Sequence, residues 1–378
     1  MRHGWSASAT PIARWAGPPG STLRQSTNGL PANVPPNRPL RKRNAASCWA
    51  RRLTTAASDA RWLAAAARLA LRGRPLSRPN PAVGALVVRD GCVVGRGWTQ
   101  ATGRPHAEAM ALEQAGSLAS GATIYVTLEP CAHESARGPA CADLLAAARP
   151  ARVVIGAGDP DPRTAGAGID RLRAAGITAA VMDCPASRDS LAGYLTLRAS
   201  GRPHVTLKLA LSLDGGIATA GGESHWITGE HARAHVHSRR ALADVIVVGG
   251  ATWRADQPRL DVRLPGLEAR SPERMVLTHG PAKGAGVLAS PQAVHQLAGV
   301  QYLYLEGGGV AAAAFLADDL VDRLELYRAP ILLGGARTGI ADIGLGQLGA
   351  AHGRWRLVER RQLGSDCFEA YERTRTGS

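Results

Sequence analysis

The chain has 378 residues, and 45% of them are hydrophobic, which is enough for two packed domains. No apolar run reaches the ~18 residues that a bilayer-spanning helix needs, and no signal-peptide core is found, so a membrane protein is not expected. The formal net charge is +15, but nine of these charges lie within residues 1–52, which carry no acidic residue. Most of the excess positive charge therefore lies in the N-terminal segment and not in the rest of the chain.

Residues 1–57 are rich in Pro, Ser, Asn and basic side chains and are predicted to be a disordered basic extension. Such a segment is compatible with an unstructured or artefactual leader, with a transit peptide and with nucleic-acid binding, and the sequence leaves these alternatives open. The six cysteines form no dense framework of the kind that disulfide-rich proteins have, so a reducing cytoplasm is expected.

From Asp59 onward the pattern predicts alternating helices and strands, which is typical of an α/β fold. Asp59 is predicted to cap an alanine-rich helix, and Asp90-Gly91 to form the turn of a β-hairpin. Pro105 is predicted in the first turn of another helix. The stretch Leu197–Pro203 is predicted to link this series to a second one. The predicted strands are Ala85–Val88, Cys92–Gly97, Thr123–Leu128, Arg152–Ile155 and Thr178–Met182 before the link, and Val205–Leu211, Val245–Val248, Met275–Thr278, Tyr302–Leu305 and Leu324–Tyr327 after it.

The first series contains a zinc-deaminase pattern. His106-Ala107-Glu108 is followed by Glu129-Pro130-Cys131 and then by Cys141. One imidazole and two thiolates can supply the three protein ligands of a catalytic zinc site and leave a fourth position open for water. Glu108 is then the general acid/base that takes a proton from water and delivers it to the departing ammonia. The pattern predicts hydrolytic removal of an amino group from a nucleobase-like ring.

The spacing of the two cysteines is unusual for this pattern. Nine residues, Ala132–Ala140, separate them, whereas many zinc deaminases have two. Either the second thiolate ligand lies elsewhere in the chain, or a loop has been inserted before Cys141. The composition of this loop favours contact with substrate over a rigid metal knuckle. An N-terminal helix position is expected to help keep Cys131 deprotonated.

A glycine run, Glu306-Gly307-Gly308-Gly309, follows a predicted strand and precedes a helical segment. Glycines at such a place let backbone N–H groups approach a phosphate at a helix N-terminus. Taken alone, the run is also compatible with a plain turn.

Taken in order, the motifs resemble the bifunctional deaminase/reductase family of riboflavin biosynthesis over about residues 58–373. The resemblance rests on segments of both series, namely Asn80-Pro81, Val83-Gly84, His106–Glu108, Thr127–Cys131 with the long loop after it, Lys208–Gly215 and Gly222–Thr228.

This resemblance implies a cytidine-deaminase-like three-layer α/β/α domain over residues 58–196 and a dihydrofolate-reductase-like α/β domain over residues 203–373. It implies Zn²⁺ and NADPH as cofactors. It also implies two consecutive reactions: deamination of a diaminopyrimidinone ribosylamino phosphate, followed by reduction of the ribosyl group to a ribityl group.

The resemblance also assigns residues to both sites. In the deaminase, His106, Cys131 and Cys141 bind zinc, Glu108 is catalytic and Asn80 contacts the substrate. In the reductase, the cofactor-side positions are Ala210, Trp226, Thr252, Asp256 and Gly308, and the substrate-side positions are Ser224, Arg240, Leu260, Arg263 and Glu306. The two arginines are expected to suit a substrate phosphate, because a guanidinium group binds phosphate with two parallel hydrogen bonds.

Several positions depart from the family pattern. Thr99 replaces a usual His, and the loop between the cysteines is longer than usual. In the second domain, Gly216 replaces a usual basic residue, Gln257 and Thr278 replace usual Asp residues, and residues 264–300 are short of the usual length. These departures are expected to affect the reductase more than the metal site.

The first expectation is therefore a cytoplasmic enzyme that acts on a phosphorylated pyrimidine and forms a homo-oligomer, without membrane or nucleic-acid partners. Three alternatives stay open: a deaminase with a degenerate reductase domain, a nucleic-acid base deaminase, and a nucleic-acid-binding protein without activity. Against the last two, the second series has no evident basic–aromatic strand on which single-stranded bases could stack.

Overall fold

The computed structural model of the protein describes residues 55–133 and 137–375. The basic extension predicted over residues 1–57 therefore lies outside the described residues, except for its last three positions, which are helical. Within this described part of the chain, no helix combines the length and the apolar character that crossing a membrane requires.

The first series of elements comprises α1 (Thr55–Ala70), β1 (Gly84–Arg89), β2 (Cys92–Trp98), α2 (Ala107–Ala115), β3 (Thr123–Val126), α3 (Cys141–Ala148), β4 (Arg152–Ile155), α4 (Ala167–Ala174), β5 (Thr178–Val181), α5 (Pro185–Ser190) and α6 (Ala192–Ser200). Among the described residues its strands form one sheet in the order β2-β1-β3-β4-β5. The pairs from β2 to β3 are antiparallel, and those from β3 to β5 are parallel.

Alternation along β1 explains how this sheet is covered, because successive residues of a strand point to opposite faces. Val87 belongs to the core that α2, α3 and α4 cover, whereas Leu86 and Val88 belong to the core beneath α1. Helices therefore lie on both faces, which confirms the predicted three-layer α/β/α arrangement.

Helix α2 lies in direct contact with β2 at two glycines. A Cβ atom at Gly97 would lie 2.0 Å from the carbonyl oxygen of Ala107, and one at Gly95 would lie 2.1 Å from that of Ala111. No side chain fits at such distances, so these glycines set how closely α2 approaches the sheet. Because α2 begins directly after His106, this contact also places the zinc-deaminase motif.

Two predicted helix starts are wrong. Helix α1 begins at Thr55, and Asp59 lies inside it. The buried Asp59 carboxylate accepts hydrogen bonds from the Tyr125 hydroxyl at 2.7 Å and from Arg152 at both oxygens, so it serves a buried ion pair rather than the helix end. Helix α2 begins at Ala107 because His106 is extended, with ψ at 162°, and Pro105 therefore lies before the helix.

The second series comprises β6 (His204–Leu211), β7 (Gly216–Ala218), α7 (Glu230–Arg240), β8 (Val245–Gly249), α8 (Gly250–Asp256), β9 (Glu273–Leu277), β10 (Gly286–Leu288), β11 (Tyr302–Leu305), α9 (Gly309–Ala317), β12 (Arg323–Arg328), β13 (Arg337–Thr338), β14 (Trp355–Leu363) and β15 (Asp366–Arg373). Its main sheet, within the described residues, has the order β10-β9-β8-β11-β6-β12-β15-β14. The strands from β10 to β12 are parallel, and the β14–β15 hairpin adds antiparallel strands at one edge. This is the second α/β domain that the resemblance implies.

The five predicted strands of the second series are all present, but the β14–β15 hairpin was not predicted. Strand β14 is half-exposed along its whole length and carries Arg356, Arg360 and Arg361, so it lacks the apolar signal by which a buried strand is found. The predicted link is also shorter than expected. Helix α6 continues through Ser200, and only Gly201–Pro203 joins it to β6.

The two series pack against each other through buried polar contacts. Arg74 donates from Nη2 to the carbonyl oxygen of Leu242 at 2.9 Å, and its guanidinium carbon lies 3.2 Å from the centre of the Tyr302 ring. The Tyr302 hydroxyl in turn donates to the carbonyl oxygen of Ser190 at 2.9 Å. Tyr302, the first residue of β11, is thus contacted by two residues of the first domain, Arg74 and Ser190.

Candidate metal centre and reductase site

The three predicted zinc ligands come together from separate elements. His106 directly precedes α2, Cys131 lies in the loop after β3, and Cys141 is the first residue of α3. His106 Nδ1 lies 3.2 Å from Cys141 Sγ and 3.6 Å from Cys131 Sγ, and all three donor atoms lie within 4.8 Å of one another. A tetrahedral zinc ion separates a nitrogen and a sulfur ligand by about 3.5 Å. The donor set and its spacing therefore fit zinc.

The two thiols are hydrogen-bonded to each other, which separates their pKa values. This hydrogen bond lowers the pKa of Cys131 and raises the pKa of Cys141. The helix N-terminus that was expected at Cys131 belongs instead to Cys141, because Cys131 lies in a loop. The backbone N–H of Cys141 nevertheless donates to Cys131 Sγ at 3.3 Å. Cys131 is therefore poised as a thiolate, and a bound cation would displace the proton of Cys141.

Glu108 lies beside this cluster in the first turn of α2 and is 4% exposed. Burial raises the pKa of its carboxyl group, which is also hydrogen-bonded to the Cys141 side chain. A buried carboxyl group with a raised pKa beside metal donors is suited to the role of a general acid/base.

Asn80 lies at the other nitrogen of the His106 ring. Its Nδ2 is 3.4 Å from His106 Nε2 and donates to the carbonyl oxygen of Gly103 at 3.5 Å. Gly103 has a φ of +88°, and a Cβ atom there would lie 2.5 Å from Asn80 Cγ, so only glycine fits against this amide. Asn80 is thereby held next to the metal donors.

Asn80, His106, Glu108 and Cys131 line one cavity of about 440 Å³. Tyr194 donates to Asp159 at 2.7 Å in its wall, and Asp161 forms ion pairs with both Arg163 and Arg198. His133 and Arg137, from the loop between the cysteines, also line it. The predicted substrate loop Ala132–Ala140 thus reaches the cavity, although its residues 134–136 lie outside the described residues. The charged wall suits a substrate that carries a sugar phosphate beside its ring.

Glu129, which precedes Pro130-Cys131, anchors the loop that contains Cys131 to α4. Its Oε1 accepts hydrogen bonds from the N–H groups of Gly168 and Ile169 at 3.1 and 3.4 Å, and its Oε2 from those of Gly166 and Asp159 at 3.1 and 3.4 Å. A buried carboxylate that binds the first turn of a helix is favoured by the helix dipole. Glu129 therefore connects the loop that contains Cys131 with the cavity wall at Asp159.

Thr99, which replaces a usual His, closes the β1–β2 pairing at the cavity. Its Oγ1 accepts from the N–H of Val83 at 3.0 Å, and its own N–H donates to the carbonyl oxygen of Val83 at the same distance. Thr99 lines the cavity, and its hydroxyl oxygen accepts this hydrogen bond from the backbone.

In the second domain, Arg240 and Glu306 form a bidentate ion pair. Arg240 Nε and Nη2 donate to the two Glu306 oxygens at 2.6 and 3.0 Å, and Nη1 donates to the carbonyl oxygen of Asp261 at 3.0 Å. Burial opposes ionisation of Glu306, but Lys208 and Arg240 outweigh it and lower its pKa to about 2. The guanidinium of Arg240, which was expected to suit a phosphate, is thus already bound to Glu306.

The other predicted substrate-side residues differ in how exposed they are. Arg263 is 53% exposed at its side chain and is the freer of the two predicted arginines, with an ion pair to Asp261 at 3.4 Å. Ser224 is exposed in the loop before α7. Leu260 is buried in the core with a φ of 55°.

On the cofactor side, Gly308 and Thr252 are adjacent. Gly308 caps α9, and a Cβ atom there would lie 3.5 Å from Thr252 Oγ1. A glycine-rich helix N-terminus beside a hydroxyl group suits a phosphate of NADPH. Asp256 ends α8, and Ala210 lies in β6. Trp226 is 66% exposed with a φ of 62°, and the Arg233 guanidinium lies 4.4 Å from its ring centre.

One departure from the family pattern, Gly216, has a structural reason in this chain. A Cβ atom at Gly216 would lie 2.5 Å from the Cβ of Ala336, so the neighbouring segment fills the space that a basic side chain would need. Thr278 Oγ1 accepts from the N–H of Gly280 at 3.1 Å, and Gln257 caps the C-terminal end of α8 with a φ of 40°.

Sequence reasoning missed several side chains that surround the two sites. Lys208 lies 3.7 Å from Glu306, although only its motif was noted. Asp159 and Asp161 follow a predicted parallel strand, and carboxylates at the C-terminal end of such a strand are a usable signal for a site. Tyr194 and Arg198 lie on α6 and gave no comparable signal.

Two family models match consecutive parts of the chain. The cytidine and deoxycytidylate deaminase zinc-binding region matches residues 56–157, and the RibD C-terminal domain matches residues 203–368. The metal donors lie within the first match, and the Arg240–Glu306 pair lies within the second.

Known proteins match both parts together. The riboflavin biosynthesis protein RibD of Escherichia coli is 36% identical over 359 residues, covering 82% of this chain and 97% of that protein. The structure of Acinetobacter baumannii RibD, form 1, is 35% identical with a TM-score of 0.73 and covers 85% of this chain and 100% of that one. A Thermotoga maritima structure, described as a diaminohydroxyphosphoribosylaminopyrimidine deaminase/5-amino-6-(5-phosphoribosylamino)uracil reductase, is 27% identical with a TM-score of 0.74 and covers 84% and 99%.

Proposed function

Because this chain belongs to the bifunctional deaminase/reductase family of riboflavin biosynthesis, we propose that it performs the family's two reactions at the two sites described above. Its function is riboflavin biosynthesis in two consecutive steps. The first is zinc-dependent hydrolytic deamination of a diaminopyrimidinone ribosylamino phosphate, and the second is NADPH-dependent reduction of the ribosyl group to a ribityl group. The observation that carries the deaminase assignment is the cluster of one imidazole and two sulfurs within 4.8 Å, beside buried Glu108.

In the deaminase site, the proposed zinc ligands are His106, Cys131 and Cys141. When bound, zinc lowers the pKa of a coordinated water molecule to roughly 7. Glu108 accepts a proton at its carboxylate and returns it to the departing amino group. Asn80 orients the pyrimidine ring, and the charged wall of the cavity receives the sugar phosphate.

In the reductase site, the proposed cofactor contacts are those of Ala210, Trp226, Thr252, Asp256 and Gly308. NADPH supplies the reducing equivalents when it is bound there. The proposed substrate contacts are those of Ser224, Arg240, Leu260, Arg263 and Glu306. Glu306 stays ionised because Lys208 and Arg240 lower its pKa, so it can accept hydrogen bonds from the sugar hydroxyl groups, while Arg263 is the better placed to bind the phosphate.

The alternatives from the sequence are not favoured. Relatives that match nearly their whole length include both domains, which argues against a nucleic-acid base deaminase and against a chain that retains only one activity.

The domain limits, the assembly and the location of the protein are also proposals. The limits 58–196 and 203–373 are best extended to residues 55–200 for the first domain, since α1 and α6 occupy them. A homo-oligomer formed through the second domain is supported by Leu332 and Leu348, which are 74% and 76% exposed, and by the edge strand β14. A cytoplasmic location is supported by the free cysteines of the described chain.

The test uses the purified full chain in three measurements. We expect about one zinc ion per chain, ammonia release from the diaminopyrimidinone substrate, and NADPH oxidation with the deaminated intermediate. Absence of NADPH oxidation beside active deamination would favour a degenerate reductase instead. Absence of ammonia release from zinc-loaded protein would contradict the deaminase assignment.

A further inference from the structure

A side chain of the second domain binds the backbone of the deaminase site. Gln301 directly precedes β11 and is 4% exposed. Its Nε2 donates to the carbonyl oxygen of Pro79 at 2.8 Å and to that of Asn80 at 3.2 Å. The second of these carbonyl groups belongs to the residue whose amide contacts the His106 ring.

The backbone of Gln301 is itself fixed within the reductase sheet. The buried Asp244 accepts hydrogen bonds at Oδ2 from the N–H groups of Gln301 and Tyr302, at 2.8 and 2.9 Å. Tyr302 is held in turn by the stacked Arg74 guanidinium. The Gln301 amide therefore extends from a rigid base.

The segment that Gln301 binds is a tight turn. The N–H of Asn80 donates to the carbonyl oxygen of Ser77 at 3.0 Å, and Ser77 Oγ donates back to the Asn80 carbonyl oxygen at 3.2 Å. The Asn80 side chain lies between Gly103 and His106, so close to Gly103 that a Cβ atom there would lie 2.5 Å from Asn80 Cγ. A displacement of the turn therefore moves the Asn80 amide relative to the cavity.

We propose that Gln301 is a positioning residue for deamination. By binding the carbonyl oxygens of Pro79 and Asn80, it sets the place of the Asn80 amide beside His106. This inference rests on the proposed substrate contact of Asn80. It makes substrate binding in the first domain depend on a side chain of the second domain, while the metal ligands all come from the first.

The test is Gln301→Met in the full chain, because methionine keeps the length and the burial but removes the amide donor. The KM of deamination is expected to rise about tenfold, since a small displacement of an orienting group weakens productive binding. The kcat of deamination, the zinc content and the kinetics of NADPH-dependent reduction are expected to stay within about twofold. A merely structural role would instead lower zinc content or both activities together.

Two further variants keep the test decisive. Gln301→Asn retains the amide but shortens its reach, so it is expected to raise the same KM, and it replaces the methionine variant if that one fails to fold. Tyr302→Phe is the matched control, because it removes the neighbouring hydrogen bond to Ser190 and is expected to leave the KM of deamination unchanged. An equal rise of KM in Tyr302→Phe would overturn the positioning role.

Asn80→Ala separates this inference from its premise. If Asn80→Ala raises the KM of deamination and the folded Gln301 variants do not, the positioning role is refuted while the substrate contact stands. If Asn80→Ala leaves KM unchanged, the proposed contact of Asn80 fails, and the role of Gln301 fails with it.

Discussion

Arg240 donates to both carboxylate oxygens of Glu306, and the pair is buried at the C-terminal end of β11, two residues before the helix cap Gly308. Lys208 adds a second positive charge at 3.7 Å. Burial of Glu306 opposes its ionisation, but the two cations outweigh it and lower its pKa to about 2, so Glu306 is ionised at neutral pH. The ionised Glu306 thus holds Arg240 and Lys208 together next to the proposed cofactor site.

Glu306→Gln is expected to lower kcat/KM of the NADPH-dependent reduction by about 30-fold or more, since it leaves the buried Arg240 and the neighbouring Lys208 without their charge partner. Deamination is expected to stay within about twofold, because its site lies in the other domain. The measurement is NADPH oxidation beside ammonia release. Glu325→Gln is a matched control, since Glu325 is also buried and paired with arginines. It is expected to lower thermal stability without a selective loss of reduction, and an equal loss in both variants would contradict the role of Glu306.

Glu108→Gln is expected to retain about one zinc ion per chain and to lose deamination by at least about 100-fold, because the amide cannot carry the proton. Reduction of the deaminated intermediate is expected to continue. Metal analysis and the two assays check this. Glu113→Gln, on the exposed side of the same helix, is expected to behave as the wild type. Zinc loss in Glu108→Gln would instead indicate that Glu108 stabilises the metal site.

Cys141→Ser is expected to lower zinc content well below one per chain and to abolish deamination, since a hydroxyl group is a poor zinc ligand beside a thiolate and an imidazole. NADPH oxidation is expected to persist, and treatment of the wild type with a chelator is expected to reproduce the same split. Exposed Cys92→Ser is the control. Full zinc content in Cys141→Ser would remove Cys141 from the ligand set.

Asp322→Asn tests how the segment between the domains contributes to stability. Burial of Asp322 opposes ionisation, but hydrogen bonds from Arg202 outweigh it and lower its pKa to about 2. A carboxyl group with a lowered pKa in the folded state stabilises above its unfolded pKa of about 3.9, and this contribution is lost as the pH falls through the folded value. The substitution is expected to cost about 2 kcal/mol at pH 7.

The measurement is urea unfolding of both proteins from pH 7 downward. The difference in stability is expected to be constant above about pH 5 and to shrink below about pH 4. Exposed Asp170→Asn is expected to show little difference at any pH. A difference between wild type and Asp322→Asn that grows on acidification would contradict the sign of this prediction.

The metal site could be predicted from the sequence because zinc chemistry restricts the ligands to few residue types at recognisable spacings. The three-layer order followed from the alternation of helices and strands. The convergence of Cys141 with His106 could not be derived, because it depends on how α3 returns to β3 across a nine-residue loop.

Other features depend on contacts that only folding creates. Nothing in the sequence near Gln301 indicated that its amide would reach Asn80, more than two hundred positions earlier. The ion pair of Arg240 with Glu306 could not be predicted either. An arginine that could bind phosphate and one that binds a buried carboxylate look alike in sequence. The hairpin β14–β15 escaped prediction because its outer strand is partly exposed along its length and carries three arginines among its apolar residues.

The close approach of α2 to Gly97 has a consequence for the interpretation of inherited or laboratory variants of this enzyme. A single methyl group added there would push against the backbone of Ala107 and lift the helix whose preceding residue is the imidazole donor. A clone that has lost its zinc need not carry any change at a ligand, and the missing ion can be traced to a strand residue that never touches it.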